Sequence, residues 1–296
     1  MSRSAATLRT PVIGAVPPPA LVVLAVVSTQ LGASIAVHLF DHIGPLGTVF
    51  LRVGFSALML VALFRPRIAG HPQRDLALAA VFGLSLAFMN LFFYEAIDRI
   101  PLGVAVTIEF VGPLGVAVVG SRRRLDGLWV LLAAIGIVLL ADGGSGNVDA
   151  LGVVYALLAG VMWFTYILLS ARTGRVFPSG KGLAIGMAVG ALAVAPFGIA
   201  SGGSDLLDWR WLATGAALAL LSSAVPYSLE LEALRRLPEH VFGILMSMEP
   251  AVAAVVGFFV LSQDLRLRDL VAIALVAGAC AGASLSARRP AVAAEA

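Results

Sequence analysis

EAIDRIPLGVAVTIEFVGPLGVAVVG, residues 95–120, returns 137 positions later as EALRRLPEHVFGILMSMEPAVAAVVG, residues 232–257. Both copies begin with Glu-Ala, place an arginine four residues after the glutamate, and carry two prolines twelve residues apart. Chance pairing of apolar residues explains some of the identities, but it does not explain two prolines at one spacing in both copies. The sequence therefore contains an internal repeat.

The composition of the 296-residue chain is that of a membrane protein. Apolar residues make up 60% and charged residues 12%, against roughly 45–50% and about 25% in soluble proteins. A soluble fold keeps a polar surface, so these values argue against a soluble enzyme, disorder, collagen or a disulfide scaffold. The single cysteine, Cys280, cannot form an internal disulfide. Basic residues are scattered between apolar segments, as in cytoplasmic loops, so we expect no nucleic-acid partner.

Ten segments are long and apolar enough to cross a membrane, for which about 20 residues are needed. They are residues 19–40, 45–64, 75–97, 101–119, 126–141, 149–170, 181–200, 208–234, 238–260 and 269–286. The first exceeds the roughly 7–15-residue apolar core of a signal peptide, so we expect an uncleaved helix. Gly182, Gly186 and Gly190 have a spacing that permits close helix packing, within the chain or between subunits. The sequence predicts an all-α membrane protein with ten transmembrane helices.

The distribution of Lys and Arg predicts the orientation of these helices. Alternate loops and both tails carry 15 of these residues, whereas the opposite loops carry four, Arg99, Arg210, Arg266 and Arg268. We therefore expect both termini in the cytoplasm.

Each half then contains five helices, an odd number, so the two copies cross the membrane in opposite directions. We expect a cytoplasmic tail at residues 1–18, a first five-helix repeat at 19–141, a second, inverted repeat at 149–286, and a cytoplasmic tail at 287–296. Inverted repeats are typical of secondary transporters, whose substrate site lies near the middle of the membrane between the repeats.

Six charged residues lie inside the predicted spans: Arg52, Glu95, Glu109, Glu230, Glu232 and Glu249. A charge at the centre of a spanning helix costs about 2.5–3.5 kcal/mol, so such residues usually face a partner or a cavity. Glu109 and Glu249 lie about 12 and 16 Å from their helix starts, near mid-membrane. Glu95 and Glu232 lie at span ends and are expected at the membrane interface. Arg52 is close in depth to Glu109, and two interpretations stay open: an ion pair that fixes helix packing, or a role in transport.

Three prolines interrupt the predicted spans. Pro113, Pro226 and Pro250 deprive the carbonyls four residues earlier of their helical donors. Inside a membrane such a carbonyl must find another partner. A single proline is explained by a simple kink. The pair Pro113 and Pro250, at equivalent places in the two copies and close after Glu109 and Glu249, instead predicts the broken helices that form transporter sites.

Further polar and aromatic residues extend this candidate substrate pathway. Asn90 and Tyr94 share one face of the third span, Trp163 and Tyr166 share one face of the sixth, and Tyr227 follows the break in the eighth. The predicted pathway comprises these five residues together with Arg52, Glu109, Glu230 and Glu249. No HExxH, Walker or GxGxxG pattern occurs, so we expect no catalytic residues, metal or cofactor.

Residues 101–126, PLGVAVTIEFVGPLGVAVVGSRRRLD, and 226–251, PYSLELEALRRLPEHVFGILMSMEPA, resemble the EamA-type branch of the drug/metabolite transporter superfamily. Within that branch they are most similar to bacterial threonine/homoserine exporters, through the motifs EFxGPL (109–114), SRR (121–123), PYSLE (226–230) and LMSMEPA (245–251). The resemblance implies ten helices around a central cavity, and export of small amino acids across the bacterial inner membrane. Exporters of aromatic amino acids and of other metabolites share this scaffold.

The leading hypothesis is a secondary transporter that exports amino acids by alternating access. Glu109 or Glu249 would meet the substrate ammonium, and Arg52 or the helix N-termini beside the breaks would meet its carboxylate. A buried carboxylate can also carry a proton, so proton coupling stays open, as does the oligomeric state. A passive channel is the second hypothesis. An intramembrane enzyme is the third, and it lacks a visible constellation of catalytic residues.

Overall fold

The computed structural model describes residues 16–119, 124–141, 149–177, 180–234, 236–237, 242 and 245–286. All regular elements in these ranges are helical. The α-helices are α1 (Pro18–Phe64), α2 (Gln73–Ile97), α3 (Leu102–Glu109), α4 (Val111–Val119), α5 (Arg124–Ala141), α6 (Ala150–Val176), α7 (Lys181–Gly202), α8 (Trp209–Ala219), α9 (Val225–Leu234), α10 (Glu249–Leu261) and α11 (Leu267–Ser286). A 3₁₀ turn, Gly203–Leu207, follows α7, and a π turn, Leu220–Ala224, joins α8 to α9.

The surface of these helices suits a lipid environment. In the described ranges, four helical stretches are long and apolar enough to cross a membrane: Pro18–Phe64, Gln73–Ile97, Ala150–Val176 and Lys181–Leu207. Large apolar side chains such as Leu192 and Phe259 are exposed, which is costly in water and favourable in lipid. The prediction of an all-α membrane protein is confirmed.

Helix α1 contains the first two predicted spans and changes direction between them. Gly44 has φ +69°, a conformation that glycine adopts readily and other residues rarely. A Cβ atom at this position would also lie 2.7 Å from Ser201 Oγ. Because Pro45 follows and cannot donate a helical hydrogen bond, α1 divides into a first arm, residues 18–43, and a second arm, residues 45–64.

Close contacts between glycines bring the helices together. Helix α1 packs beside α8, α9 and α10, and α2 packs between α6 and α7. A Cβ atom on Gly83 of α2 would collide with the backbone carbonyl of Gly186 in α7, and one on Gly190 would lie 2.9 Å from the Gly83 carbonyl oxygen. The glycine series predicted in the seventh span therefore serves packing within the chain.

Candidate functional site

The span predicted at residues 101–119 is interrupted beside its glutamate. Helix α3 ends at Glu109, Phe110 forms a turn, and α4 begins at Val111, two residues before Pro113. A Cβ atom on Gly160 of α6 would lie 2.9 Å from the carbonyl oxygen of Glu109. Glycine at position 160 therefore lets α6 approach the carbonyl that Pro113 leaves without its helical donor.

A second interruption precedes Pro226. The π turn Leu220–Ala224 ends two residues before it and changes the hydrogen-bonding pattern between α8 and α9. Pro226 cannot donate to the carbonyl of Ser222. That carbonyl accepts a hydrogen bond from Nη2 of Arg52 at 3.2 Å. A carbonyl without a helical donor thus obtains a charged partner from the second arm of α1.

Arg52 connects three helical elements in the interior. Besides the Ser222 carbonyl it binds Tyr94 of α2, whose hydroxyl accepts from Nη1 at 3.0 Å. The arginine is 7% exposed and the tyrosine is fully buried. Arg52 and Glu109 interact electrostatically, but no direct ion pair of up to 4.0 Å joins these two residues, both of which are described. The interpretation of Arg52 as the direct ion-pair partner of Glu109 is therefore replaced by a hydrogen-bonded bridge to Tyr94 and Ser222.

Glu249 lies at a third interruption. A turn at Ser247 and Met248 precedes it, and Glu249 begins α10 with Pro250 in the first helical turn, where proline is tolerated. Its Oε1 accepts a hydrogen bond from Nε2 of Gln30 at 3.0 Å. Its Oε2 is buried and has no hydrogen-bond partner among the described residues.

Four charged side chains form what we call the buried charged cluster: Arg52, Glu109 and Glu249, which are buried, and Glu230, which is half-buried. Glu109 interacts electrostatically with both Arg52 and Glu249, and Glu249 interacts with Glu230. The cluster contains three acidic groups and one basic group. Since isolated charges are costly in a low-dielectric interior, such a cluster favours the binding of a cationic group.

The other predicted pathway residues have different surroundings. Asn90 lies one turn before Tyr94 and donates to the Leu86 carbonyl at 2.7 Å. The ring of Trp163 packs edge-on against Phe110 at the α3–α4 interruption, with 5.0 Å between ring centres. Tyr166 stacks on Phe82, with ring centres 5.3 Å apart, and the side chain of Tyr227 lies outside the described residues. Arg52, Tyr94, Glu109, Glu230 and Glu249 are thus linked by contacts or charge, and Trp163 adjoins them through Phe110.

Gln30 was absent from the pathway predicted by sequence. It is buried in the first arm of α1 and contacts Glu249 directly. A search for charges inside spans overlooks an uncharged amide. A search for any strongly polar side chain far from the span ends would have found it.

The span-end glutamates, Glu95 and Glu232, form matching ion pairs in the two copies of the repeat. Glu95 and Arg99 are 2.7 Å apart, and Glu232 and Arg236 are 3.5 Å apart, each pair at four-residue spacing. Each arginine also reaches the start of a distant helix: Nε of Arg99 lies 3.8 Å from the Asp149 carboxylate before α6, and Nη2 of Arg236 donates to the Val16 carbonyl before α1 at 2.7 Å.

Comparisons with known proteins identify the family. The EamA-like transporter family matches residues 150–285. The threonine/homoserine exporter RhtA of Salmonella typhimurium strain LT2 is 42% identical over 275 residues, or 92% of each chain. RhtA of Escherichia coli K12 is 41% identical over 275 residues, again 92% of each chain. A crystal structure that is 20% identical has a TM-score of 0.61 over 92% of this chain and 97% of its own, which shows a shared fold. The chain therefore belongs to the EamA-like transporter family.

Proposed function

We propose that this protein exports small α-amino acids of the threonine and homoserine type from the bacterial cytoplasm across the inner membrane by alternating access. The relatives that are 41–42% identical over 92% of the chain are exporters of these two amino acids. The observation that carries the proposal is the buried charged cluster, which offers both signs of charge in an apolar interior.

The cluster matches the two charges of an amino acid. The guanidinium of Arg52, oriented by Tyr94 and by the Ser222 carbonyl, would bind the substrate carboxylate, as the helix N-termini beside the interruptions could also do. Glu109 and Glu249 would bind the ammonium. A proton on one of these carboxylates would replace the ammonium when the site is empty, so we include proton exchange in the proposal.

We propose ten spanning helices in two inverted repeats, residues 19–141 and 149–286, with both tails, 1–18 and 287–296, in the cytoplasm. The family match at residues 150–285 supports the second unit. The packing of equivalent helices supports the symmetry. Helix α2 of the first repeat packs on α6, which begins the second repeat, and the equivalent helices α8 and α9 of the second repeat pack on α1, which begins the first. The last helices of the two repeats, α5 and α11, pack on each other. The ion pairs Glu95–Arg99 and Glu232–Arg236 repeat in the same way.

Counterflow in proteoliposomes tests this function. Vesicles preloaded with unlabelled threonine or homoserine should accelerate the uptake of the labelled amino acid, because a carrier exchanges its substrate and a passive channel does not. A panel that adds aromatic amino acids and unrelated metabolites would identify the preferred substrates. If no small amino acid accelerates uptake, the proposal is contradicted. If only aromatic amino acids accelerate uptake, the protein is an exporter of aromatic amino acids instead.

A further inference from the structure

Gln30 lies in the part of α1 that packs against both the π turn and the start of α10. It is 2% exposed in the first arm of α1. The residues two positions before and after Gln30 contact the π turn. Ser28 Oγ donates to the Leu221 carbonyl at 2.7 Å, and Gly32 lies directly against the Ser222 side chain. Gln30 itself is directed to α10, where it meets Glu249. The arm therefore lies between the π turn that holds Arg52 and the start of α10, and the amide of Gln30 is on the side that faces α10.

The hydrogen bond to Glu249 orients the amide of Gln30. Its Nε2 donates one of two N–H groups to the carboxylate at 3.0 Å, and its other polar atom, Oε1, is a carbonyl oxygen that only accepts. Oε1 is buried and has no hydrogen-bond partner among the described residues. A buried acceptor without a donor is unfavourable, so a ligand that brings a donor to this position gains affinity over one that does not.

The chemistry of the neighbouring groups indicates which donor fits. A substrate ammonium forms its strongest hydrogen bonds with carboxylates, because both partners are charged, and Glu109 and Glu249 supply them. The neutral carbonyl of Gln30 remains for an uncharged donor. A side-chain hydroxyl is such a donor, and an aliphatic side chain has none.

We propose that Gln30 binds the side-chain hydroxyl of the transported amino acid and is thereby a specificity-determining residue; this inference rests on the proposed function. Threonine and homoserine carry the hydroxyl on different carbons, yet removing it from either gives the same compound, 2-aminobutyrate. The contribution of the hydroxyl can therefore be measured against one analogue. A site that pairs with the hydroxyl should favour the two hydroxylated amino acids over 2-aminobutyrate by about tenfold.

The test is competition in the counterflow assay, with 2-aminobutyrate, threonine and homoserine competing against labelled homoserine. In the Gln30→Leu variant we expect the preference for the hydroxylated amino acids over 2-aminobutyrate to fall to about onefold. The variant also removes the hydrogen bond to Glu249, but that loss is common to the three compounds and leaves their ratio unchanged. Gln73→Leu, the same change at an exposed position, is the matched control and should keep the full preference. If Gln30→Leu does not reach the membrane, Gln30→Asn retains the amide but shortens it, and should change the ratio of threonine to homoserine affinity.

The outcomes separate this inference from the proposed function. Retention of the preference in Gln30→Leu, or an unchanged threonine-to-homoserine ratio in Gln30→Asn, would overturn it. An equal loss for all three compounds in Gln30→Leu would also overturn it, because Gln30 would then only position Glu249. A wild-type protein that transports amino acids without any preference for a hydroxyl contradicts this inference alone. A wild-type protein that transports none of the three contradicts the proposed function.

Discussion

Arg52 and Tyr94, 42 residues apart in sequence, meet in the interior, where the arginine Nη1 donates to the tyrosine hydroxyl at 3.0 Å. The second terminal nitrogen of the same guanidinium donates to the Ser222 carbonyl. One planar group thus holds two partners from different helical elements at once. This arrangement orients a buried positive charge beside the acidic residues of the cluster.

The Arg52 bridge predicts that charge alone is insufficient at this position. Arg52→Lys keeps the positive charge, but an ammonium lacks the planar fork that reaches both partners. We expect export to fall about tenfold or more while abundance in the membrane stays near the wild-type level. Initial rates in proteoliposomes, normalised to the amount of protein, measure the effect, and Arg67→Lys in an exposed position is the control. Full activity of Arg52→Lys would show that the bridge is unnecessary.

The second prediction concerns Glu109. Glu109→Gln keeps the size and hydrogen-bonding capacity of the side chain but removes its charge. Because Glu109 has no direct ion pair with Arg52 to lose, we expect normal abundance together with a steep loss of export. The readout is survival of overexpressing cells in inhibitory homoserine or threonine, with abundance checked by blotting.

Two results would contradict this role of Glu109. An abundant and fully protective Glu109→Gln protein would exclude a need for its charge. Loss of abundance that is restored by adding Arg52→Gln would instead show that the two charges stabilise each other structurally.

The third prediction tests the contact between α2 and α7. Gly83→Ala places a methyl group against the backbone of Gly186, and such overpacking costs about 1–3 kcal/mol. We expect a lower apparent Tm of the detergent-solubilised protein. Gly54→Ala is the control, because no atom lies within 4 Å of a Cβ there, and alanine favours the helix. Equal Tm values for the two variants would contradict the close α2–α7 packing.

The fourth prediction concerns membrane topology. A reporter that is active only in the periplasm should be silent when fused after Arg289 and active when inserted near Gly144, two positions outside the described residues. This expectation follows from the excess of Lys and Arg in alternate loops. Activity at the C-terminal fusion would contradict the orientation, and activity at both positions would also contradict the inverted relationship of the repeats.

The all-helical membrane fold and the family relationship were predicted from sequence and are confirmed. Both depend on local or pairwise patterns: long apolar runs, and motifs such as EFxGPL at residues 109–114. Helix breaks at Pro113, Pro226 and Pro250 were predicted because proline removes a helical donor wherever it stands. The partner of Arg52 was not determined by sequence. Depth in the membrane suggested Glu109, whereas the structure shows Tyr94 and Ser222.

The sequence by itself predicts how deep each polar residue lies within its span, because helix rise converts residue number into depth. It could not determine which side chains face one another at that depth, since this depends on how the helices are rotated and how closely they approach. Gly83, Gly160 and Gly186 allow those approaches through their missing side chains. Only the tertiary structure therefore brought Gln30 to Glu249, 219 residues away, where the amide leaves a buried acceptor beside a carboxylate.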